Sequence, residues 1–565
     1  MASTDSRGNL EFTLAPVQGF VGQARRTRDF WMGSYLISYL SAHAMVAVEK
    51  RGGQIGFPFI DDDPLIMAVR GTATPRSRND TGARVASLPN RFSASCPDPV
   101  QAGLAGAQAV QNAWSALALH VWREVRGKLV NSLPSHDLLP ELACPEALPP
   151  VWSRQISNHW ETYWVAHGGS SGIDQRKNWR HIHLFSEQGE MCTVCGERIV
   201  AFGEGLTRRE VRDLWHGQNG TGGIVEILNT APPEWTLALE IENKERLCAV
   251  CLVKRLLPYV AKGAFGWDVR TAFSSTHDLA GKPAAGEDSD TDLPYYAVLV
   301  MDGDHMGRAL SAYPHRKREL SQALASFSRQ APGIIENRFE GVSVYSGGDD
   351  VLALLPVHSA LRCALELQKK FTEACESLRD ELRLTISAAI LCTHIKSPMQ
   401  AALRDARALL DDVAKDALDR DAFAIQVQKR SGSPLTLAKH WGDGGENAQK
   451  IISLSKEVFQ PEEHSYSSKF LYNTAALIEP FSFESSESPS MSAIDIVPVL
   501  AAEYMRGPGA LQNVSWGRAV DTMRELIDMC SWEPTDTDTG DRRLLQPSAF
   551  PLIRFLAEAE EVAKA

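Results

Sequence analysis

The sequence predicts an α+β multidomain protein organised around a ferredoxin-like βαββαβ unit. Three observations carry that prediction: a length of 565 residues, an opening that alternates β, α, β, and a later stretch in which compact apolar runs are separated by helical segments. A domain holds roughly 100 to 200 residues, so the length corresponds to three or four separate cores. Lys plus Arg number 58 against 70 Asp plus Glu, for a formal net charge of −12, and 44% of the residues are hydrophobic. Such an acidic chain is poorly suited to holding a naked duplex unaided, because phosphate neutralisation needs a surplus of Lys and Arg on the contacting face. Any nucleic-acid contact is therefore expected to be local or shared with partners. No run approaches the roughly 18 apolar residues of a membrane helix, and the first residues, MASTDSRGNLEF, lack an apolar signal core. A cytoplasmic location is expected.

Residues 11–24 carry β-rich apolar runs broken by Pro16 and Gly19, and Asp29 is placed to cap a helix from Phe30 to about Lys50, ended by Gly52 and Gly53. IGFPFI then reads as a strand. The polar, Gly- and Pro-punctuated stretch from about 70 to 100 reads as a long loop, and 101–130 as helix. Gly217 to Gly223 lacks the Lys-Ser/Thr of a phosphate loop and reads as a flexible loop. Residues 280–292 form an acidic linker, and 435–565 read mainly as helices with polar turns such as ESSESPS and EPTDTDTGD. The divisions are 1–184, an N-terminal α/β domain; 185–290, a cysteine-bearing helical segment and linker; 291–440, the βαββαβ domain; and 441–565, a helical domain.

The chemistry concentrates in 291–440. YYAVLVM (295–301) is a buried-strand run that ends in Asp302-Gly303-Asp304, and GVSVYSGGDDVLALLP (341–356) reads as strand, tight turn, strand, with Gly347-Gly348-Asp349-Asp350 at the turn. Helices near 307–330, 358–378 and 398–417 and strands at 382–391 and 421–427 complete the pattern. In that topology the first strand lies beside the central hairpin, so Asp302 and Asp349 converge. Two converging carboxylates suit a pair of divalent metals for in-line displacement at phosphorus. Glycines ahead of Asp349 let backbone approach a nucleotide. Taken alone, Gly-Gly-Asp-Asp is also an ordinary hairpin turn.

Cys192-Thr-Val-Cys195 and Cys248-Ala-Val-Cys251 are two C-x-x-C knuckles about 50 residues apart, a spacing that predicts a closed, structural Zn²⁺ site. Four reduced, buried thiols are the plainer reading. His181 and His183 are not needed as ligands, and the remaining cysteines, Cys96, Cys144, Cys363, Cys375, Cys392 and Cys530, are isolated. Arg25 to Trp31 could face a partner or RNA, or else form a buried helix start with surface arginines.

YSGGDD (345–350) and MDGDHMG (301–307) resemble the palm of the large, polymerase-like subunit of type III CRISPR effector complexes, a relative of nucleotide-cyclase palms; VQGFVGQARRTRDFWMGSYLIS (17–38), the cysteine segment and SAAI (387–390) with its following His and Lys fit the Cmr-type branch. The resemblance implies a cyclase/polymerase palm, a second, degenerate palm-like domain at the N-terminus, a zinc-binding insertion and a C-terminal helical domain that docks small helical subunits. It implies partner subunits, a guide RNA and target RNA, and a palm that converts ATP into cyclic oligoadenylates. By the same resemblance Asp302 and Asp349 hold two Mg²⁺ or Mn²⁺ ions, with the Gly303 carbonyl an added ligand, Asp350 a supporting carboxylate and Asp304 left open. Ser346, Gly347 and Gly348 line the nucleotide site, Met306 and Gly307 cradle phosphate through backbone N–H groups, and Lys415 stands near the triphosphate. Two departures qualify it. The chain opens directly at the α/β domain, so an N-terminal HD nuclease is not expected, and His136-Asp137 and His277-Asp278 read as chance pairs. Gly341 and Leu310 stand where a diguanylate cyclase has an inhibitory acid and a guanine-reading Asn. Adenylyl transfer to another small acceptor and an idle scaffold remain as alternatives.

Overall fold

The computed structural model describes residues 7–72, 86–132, 142, 146–166, 170–178, 187–217, 222–229, 241, 244–269, 273–281, 293–378, 382–430, 432–458, 468–479, 493–506, 514–532 and 544–564. The chain divides into two units, Met1–Phe273 and Ser274–Ala565.

In the first unit β1 (Gly8–Ala15) buries Leu10, Phe12 and Leu14 completely, the period-two face of a half-covered strand. The chain then turns into a short helix, Gln18–Gly22, so the β-rich reading of 11–24 holds only to Ala15. The helix Thr27–Lys50 is buried nearly all round, which makes it a core element rather than a surface one. Asp29 does not cap it. Arg26 occupies the cap position without a side-chain bond, and the Asp29 carboxylate lies inside the first turn, 2.7 Å from Arg255 Nε. A buried guanidinium claims that carboxylate in place of the helix's free N–H groups.

After β2 (Gln54–Phe57) come β3 (Arg91–Cys96), the long helix Pro99–Ser132 and β4 (Glu161–Ala166). β3 corrects the long-loop expectation for 70–100: Phe92, Ala94 and Cys96 face inward, while Arg91, Ser93 and Ser95 give the segment its polar look. Residues 73–85 of that stretch lie outside the described residues, as do His136-Asp137, His181, His183, Cys144 and most of the acidic linker. The sheet order is β2-β3-β1-β4, with β1 antiparallel to both neighbours. Strand, helix, strand, strand, helix, strand in that order is a ferredoxin-like arrangement. Helix and sheet meet at Gly103, where a Cβ would come within 2.6 Å of the Trp164 ring.

The second unit repeats the plan. β5 (Tyr295–Gly303), β6 (Val342–Gly347), β7 (Asp350–Pro356) and β8 (Ile386–His394) lie in the order β8-β5-β7-β6, extended by β9 (Ala422–Gln428), parallel to β8, and β10 (Leu435–His440). The helix expected over 307–330 is two helices, Met306–Ala312 and Lys317–Phe339, joined by a turn at Pro314–Arg316, because Pro314 cannot continue the first. The helix after β8 begins at Met399 and from Leu409 to Ala417 widens into a π-helix.

β10 is a strand inside a region read as mainly helical. Its outer edge is closed by a side chain: Gln546 accepts from the Ala438 N–H at 2.8 Å and donates to the Ala438 carbonyl at 2.9 Å. Helices Glu446–Glu457, Ser468–Ile478, Ala493–Arg506, Trp516–Met529 and Ala549–Lys564 follow, with a two-strand pairing of Ser531–Trp532 and Leu544–Leu545 among them. Among the described residues no helix is long and apolar enough to cross a membrane.

Candidate active site at the end of the second sheet

β5 is buried from Tyr296 to Met301 and delivers Asp302 to its end, where the register sets Asp302 opposite Ser387 of β8 and Met301 opposite Val351 of β7. The hairpin that joins β6 to β7 is as tight as a hairpin can be: Gly347 pairs with Asp350, leaving Gly348 and Asp349 as a two-residue loop. Gly348 has φ +67°, the left-handed value that the first loop position of such a turn requires. Strand end and hairpin tip touch. A Cβ on Gly303 would stand 2.7 Å from both Cβ and Oδ2 of Asp349 and 2.9 Å from Cγ of Met306. Only glycine lets Asp349 reach the end of β5.

Burial pushes the Asp349 carboxyl up to about 8, helped by the like charges of Asp350 and Asp304 and opposed by backbone N–H donors, including Gly303. Asp350 is raised to about 6 by the protein crowding its carboxyl, although the residue as a whole is exposed, and Arg407 opposes that rise. The donors at this end, three carboxylates and the Gly303 carbonyl, are hard oxygens that suit Mg²⁺ or Mn²⁺, and a cation among them would offset the crowding that raises Asp349. Lys415, on the π-helical turn, donates to Asp302 Oδ2, and burial followed by the charge of Arg420 lowers its ammonium to about 8.

Asp304 has a different part. It is buried, accepts from Thr385 Oγ1 at 2.7 Å, from Ser387 Oγ at 2.9 Å and from the Asp421 N–H at 3.1 Å, and so ties β5 to β8 and to the entry of β9. That entry is strained: Asp419, Arg420 and Asp421 all have positive φ. Ser346 is fully buried, with its hydroxyl donated to the Ser328 carbonyl at 2.8 Å, which fastens β6 to the helix beneath. Met306 is nearly buried, and Gly307 is exposed on the first turn of its helix. Gly341 is packed under Leu355 and Ile335 with no space for an acid, and Leu310 sits on the helix Met306–Ala312.

The sequence reading passed over Arg407, Asp411 and Arg420. Arg407 and Asp411 act electrostatically on Asp350 and on each other, and Arg420 Nη1 lies 3.5 Å from the Lys415 carbonyl. For Arg407 and Asp411 the four-residue spacing ahead of Lys415 was the available signal, since positions 407, 411 and 415 fall on one helix face.

In the first unit the four knuckle thiols converge: Cys192, Cys195, Cys248 and Cys251 have all their sulfurs within 4.8 Å of one another, and among the described residues this is the one such group of three or more ligating side chains. Cys248 heads the helix Ala249–Phe265, and Gly196, with φ +68°, turns the first knuckle. The Thr193 N–H and hydroxyl both donate to the Arg246 carbonyl, at 2.9 and 3.2 Å, and lock knuckle to knuckle. Hydrogens shared from the other three thiols draw Cys192 far below the usual thiol range, and burial holds Cys248 well above it. His277-Asp278 lies in a short helical turn where Asp278 accepts from the Ser275 N–H, a capping role. Trp31 is buried against Tyr35, and Arg25 donates to the Thr193 carbonyl, which favours the helix-start reading of that segment.

Carboxylates at the end of the first strand and at the hairpin tip of a ferredoxin-like sheet define a palm of the nucleotidyltransferase type. Residues 295–424 match the family model of the Cas10/Cmr2 second palm domain, and residues 9–119 that of the N-terminal part of CRISPR-associated protein Cmr2. Both matched parts are those of a Cmr-type Cas10 large subunit. The chain is 24% identical, over an alignment of 572 residues, to the CRISPR system Cmr subunit Cmr2 of Pyrococcus furiosus, with 75% of this chain covered; it spans 62% of that relative's length. The fold is similar to chains in the Type III-B Cmr-beta complex bound to cognate target RNA (TM-score 0.66, 13% identity, 99% of this chain and 84% of the other) and in its apo state (0.63, 13%, 91% and 78%).

Proposed function

We propose that this chain is the large subunit of a cytoplasmic type III CRISPR effector complex, and that its second palm joins ATP molecules through 3′,5′ linkages into cyclic oligoadenylates when guide RNA has paired with target RNA. The observation that supports this most directly is the contact of Gly303 with Asp349, which brings two carboxylate-bearing loops to one point beside a lysine. Asp302 and Asp349, with Asp350 and the Gly303 carbonyl, would hold two Mg²⁺ or Mn²⁺ ions. Such ions acidify an attacking hydroxyl and neutralise a departing pyrophosphate. The chain's own residues do the rest. Gly303 and Gly348 keep side chains out of the nucleotide's path, Asp304 fixes the strand ends, and Lys415 with Arg420 supplies positive charge for a triphosphate. Gly347 borders the same opening, while Ser346 and Met306 support it from beneath. The four cysteines would hold a structural Zn²⁺, since a closed set of thiolates leaves no open position for catalysis.

The assembled complex, incubated with labelled ATP, Mg²⁺ or Mn²⁺ and matching target RNA, should yield oligoadenylates by mass spectrometry. An AMP adduct that appears only with an added metabolite would replace cyclase activity by adenylyl transfer. No turnover under any condition would leave the palm a scaffold.

A further inference from the structure

Asp302 and Asp304 stand two residues apart at the end of β5 and are held in opposite ways. Asp304 is buried and accepts from two hydroxyls and a backbone N–H, all neutral donors fixed in the sheet or at the entry of β9. The Asp302 side chain is 32% exposed, and among the described residues its one partner is the ammonium of Lys415, which donates to Oδ2. The relation is mutual. Asp302 is the one acceptor of that ammonium, although Asp411, Asp412 and Asp416 lie within four residues of Lys415 in the chain. Three neutral donors are a permanent setting for a carboxylate, whereas a single cation can be exchanged for another.

Lys415 also sits on an element suited to letting go. It belongs to the π-helix Leu409–Ala417, a rare winding, which is followed by three consecutive residues with positive φ, Asp419 to Asp421. The far end of this segment is pinned, because the Asp421 N–H bonds to Asp304, while the Lys415 side chain is tied to β5 through its ammonium alone. A change of winding between them moves Lys415 and leaves Asp304 held. Metal and lysine compete for one group. A divalent ion lies about 2.1 Å from a carboxylate oxygen and an ammonium about 2.8 Å, so the two on one carboxylate would stand on the order of 4 Å apart, where like charges exclude each other.

We infer that Lys415 is the resident counter-ion of Asp302 and must leave it before a divalent ion binds there. The inference rests on the reading of Asp302 as a metal ligand and adds a control on when the metal loads: a bare ion has to expel the ammonium, whereas an ion carried on a triphosphate offers the ammonium a new partner. The test uses the purified full-length chain and Mn²⁺ alone, without nucleotide, with bound ion read by electron paramagnetic resonance. Lys415→Met should bind Mn²⁺ about tenfold or more tightly than the wild type, and Lys415→Arg, which keeps the cation, should stay within about twofold of it. Asp302→Asn added to Lys415→Met should cancel the gain. In the wild-type chain, where no variant has to fold, Mn²⁺ should speed acetylation of Lys415, read by mass spectrometry, and leave that of the exposed Lys396 unchanged. Equal Mn²⁺ affinity in the wild type and Lys415→Met, with loss in Asp302→Asn, would overturn the displacement and leave the metal reading standing. Acetylation of Lys415 indifferent to saturating Mn²⁺ would do the same. No Mn²⁺ bound by any of these chains would overturn both.

Discussion

The two sheets of this chain share one strand order, β2-β3-β1-β4 and β6-β7-β5-β8, and differ at their tips. β1 ends in Leu14-Ala15-Pro16; β5 ends in Asp302-Gly303-Asp304. Between β2 and β3 the chain makes a long excursion that includes the helix Pro64–Arg70, whereas β6 and β7 are joined by Gly348 and Asp349 alone. One topology therefore serves in one copy as a framework and in the other as the support for a carboxylate cluster. The difference between the copies lies at the end of one strand and the turn of one hairpin, not in the fold.

The sharpest way to break that comparison is to make the second tip like the first. Asp349→Ala with Asp350→Ala should lower nucleotidyl transfer about a thousandfold or more, with the melting temperature and complex assembly preserved; retained turnover of labelled ATP would remove the metal assignment. Gly303→Ala keeps every carboxylate yet forces a Cβ into the Asp349 side chain, and should cost on the order of a hundredfold in turnover through misplacement alone. Wild-type rates in that variant would show that the contact is not needed. Cys192→Ser tests the other sheet's unit: zinc content by atomic absorption and the yield of folded protein should both fall, while turnover per folded molecule stays within about twofold.

Asp304→Ala should act on stability, not on chemistry as such. Two hydroxyls and a backbone N–H lose their acceptor at once, for a loss of about 1–3 kcal/mol in denaturant unfolding; an unchanged midpoint would sink the anchoring role. A further effect is in the pH dependence of the metal-free protein. With Asp349 near 8 folded and near 4 unfolded, the folded state binds more protons between those values, so stability is fullest below about 4 and declines as pH rises towards 8. Asp349→Asn should remove that slope, and Mg²⁺ should flatten it in the wild type.

The second palm was legible because its strands are apolar runs with β-branched residues and its turn residues, Gly347 to Asp350, are the types a two-residue loop demands. β3 was hidden because its outward face, Arg91, Ser93 and Ser95, reads as loop, and β10 because an edge strand with few buried residues has little pattern to show. Asp302, Gly303 and Asp349 could be placed together from topology. That Asp304 and Ser346 point into the structure could not, since Asp-x-Asp and Ser-Gly-Gly spell out residue types and say nothing of which hydroxyl or N–H claims each side chain. Arg420 escaped notice because it lies past the helix, in the positive-φ stretch Asp419 to Asp421, where there is no periodicity to read.

The surroundings of the four thiols bear on the charge of the site they form. A dication held by four thiolates has a net charge of −2, and Arg198, together with Lys254, buried under Phe20, brings +2 to the same place. Both cations have partners of their own, Arg198 in Glu197 and Lys254 in the Phe20 and Gln23 carbonyls, so a dication held by the four thiolates would meet a counter-charge already fixed in position.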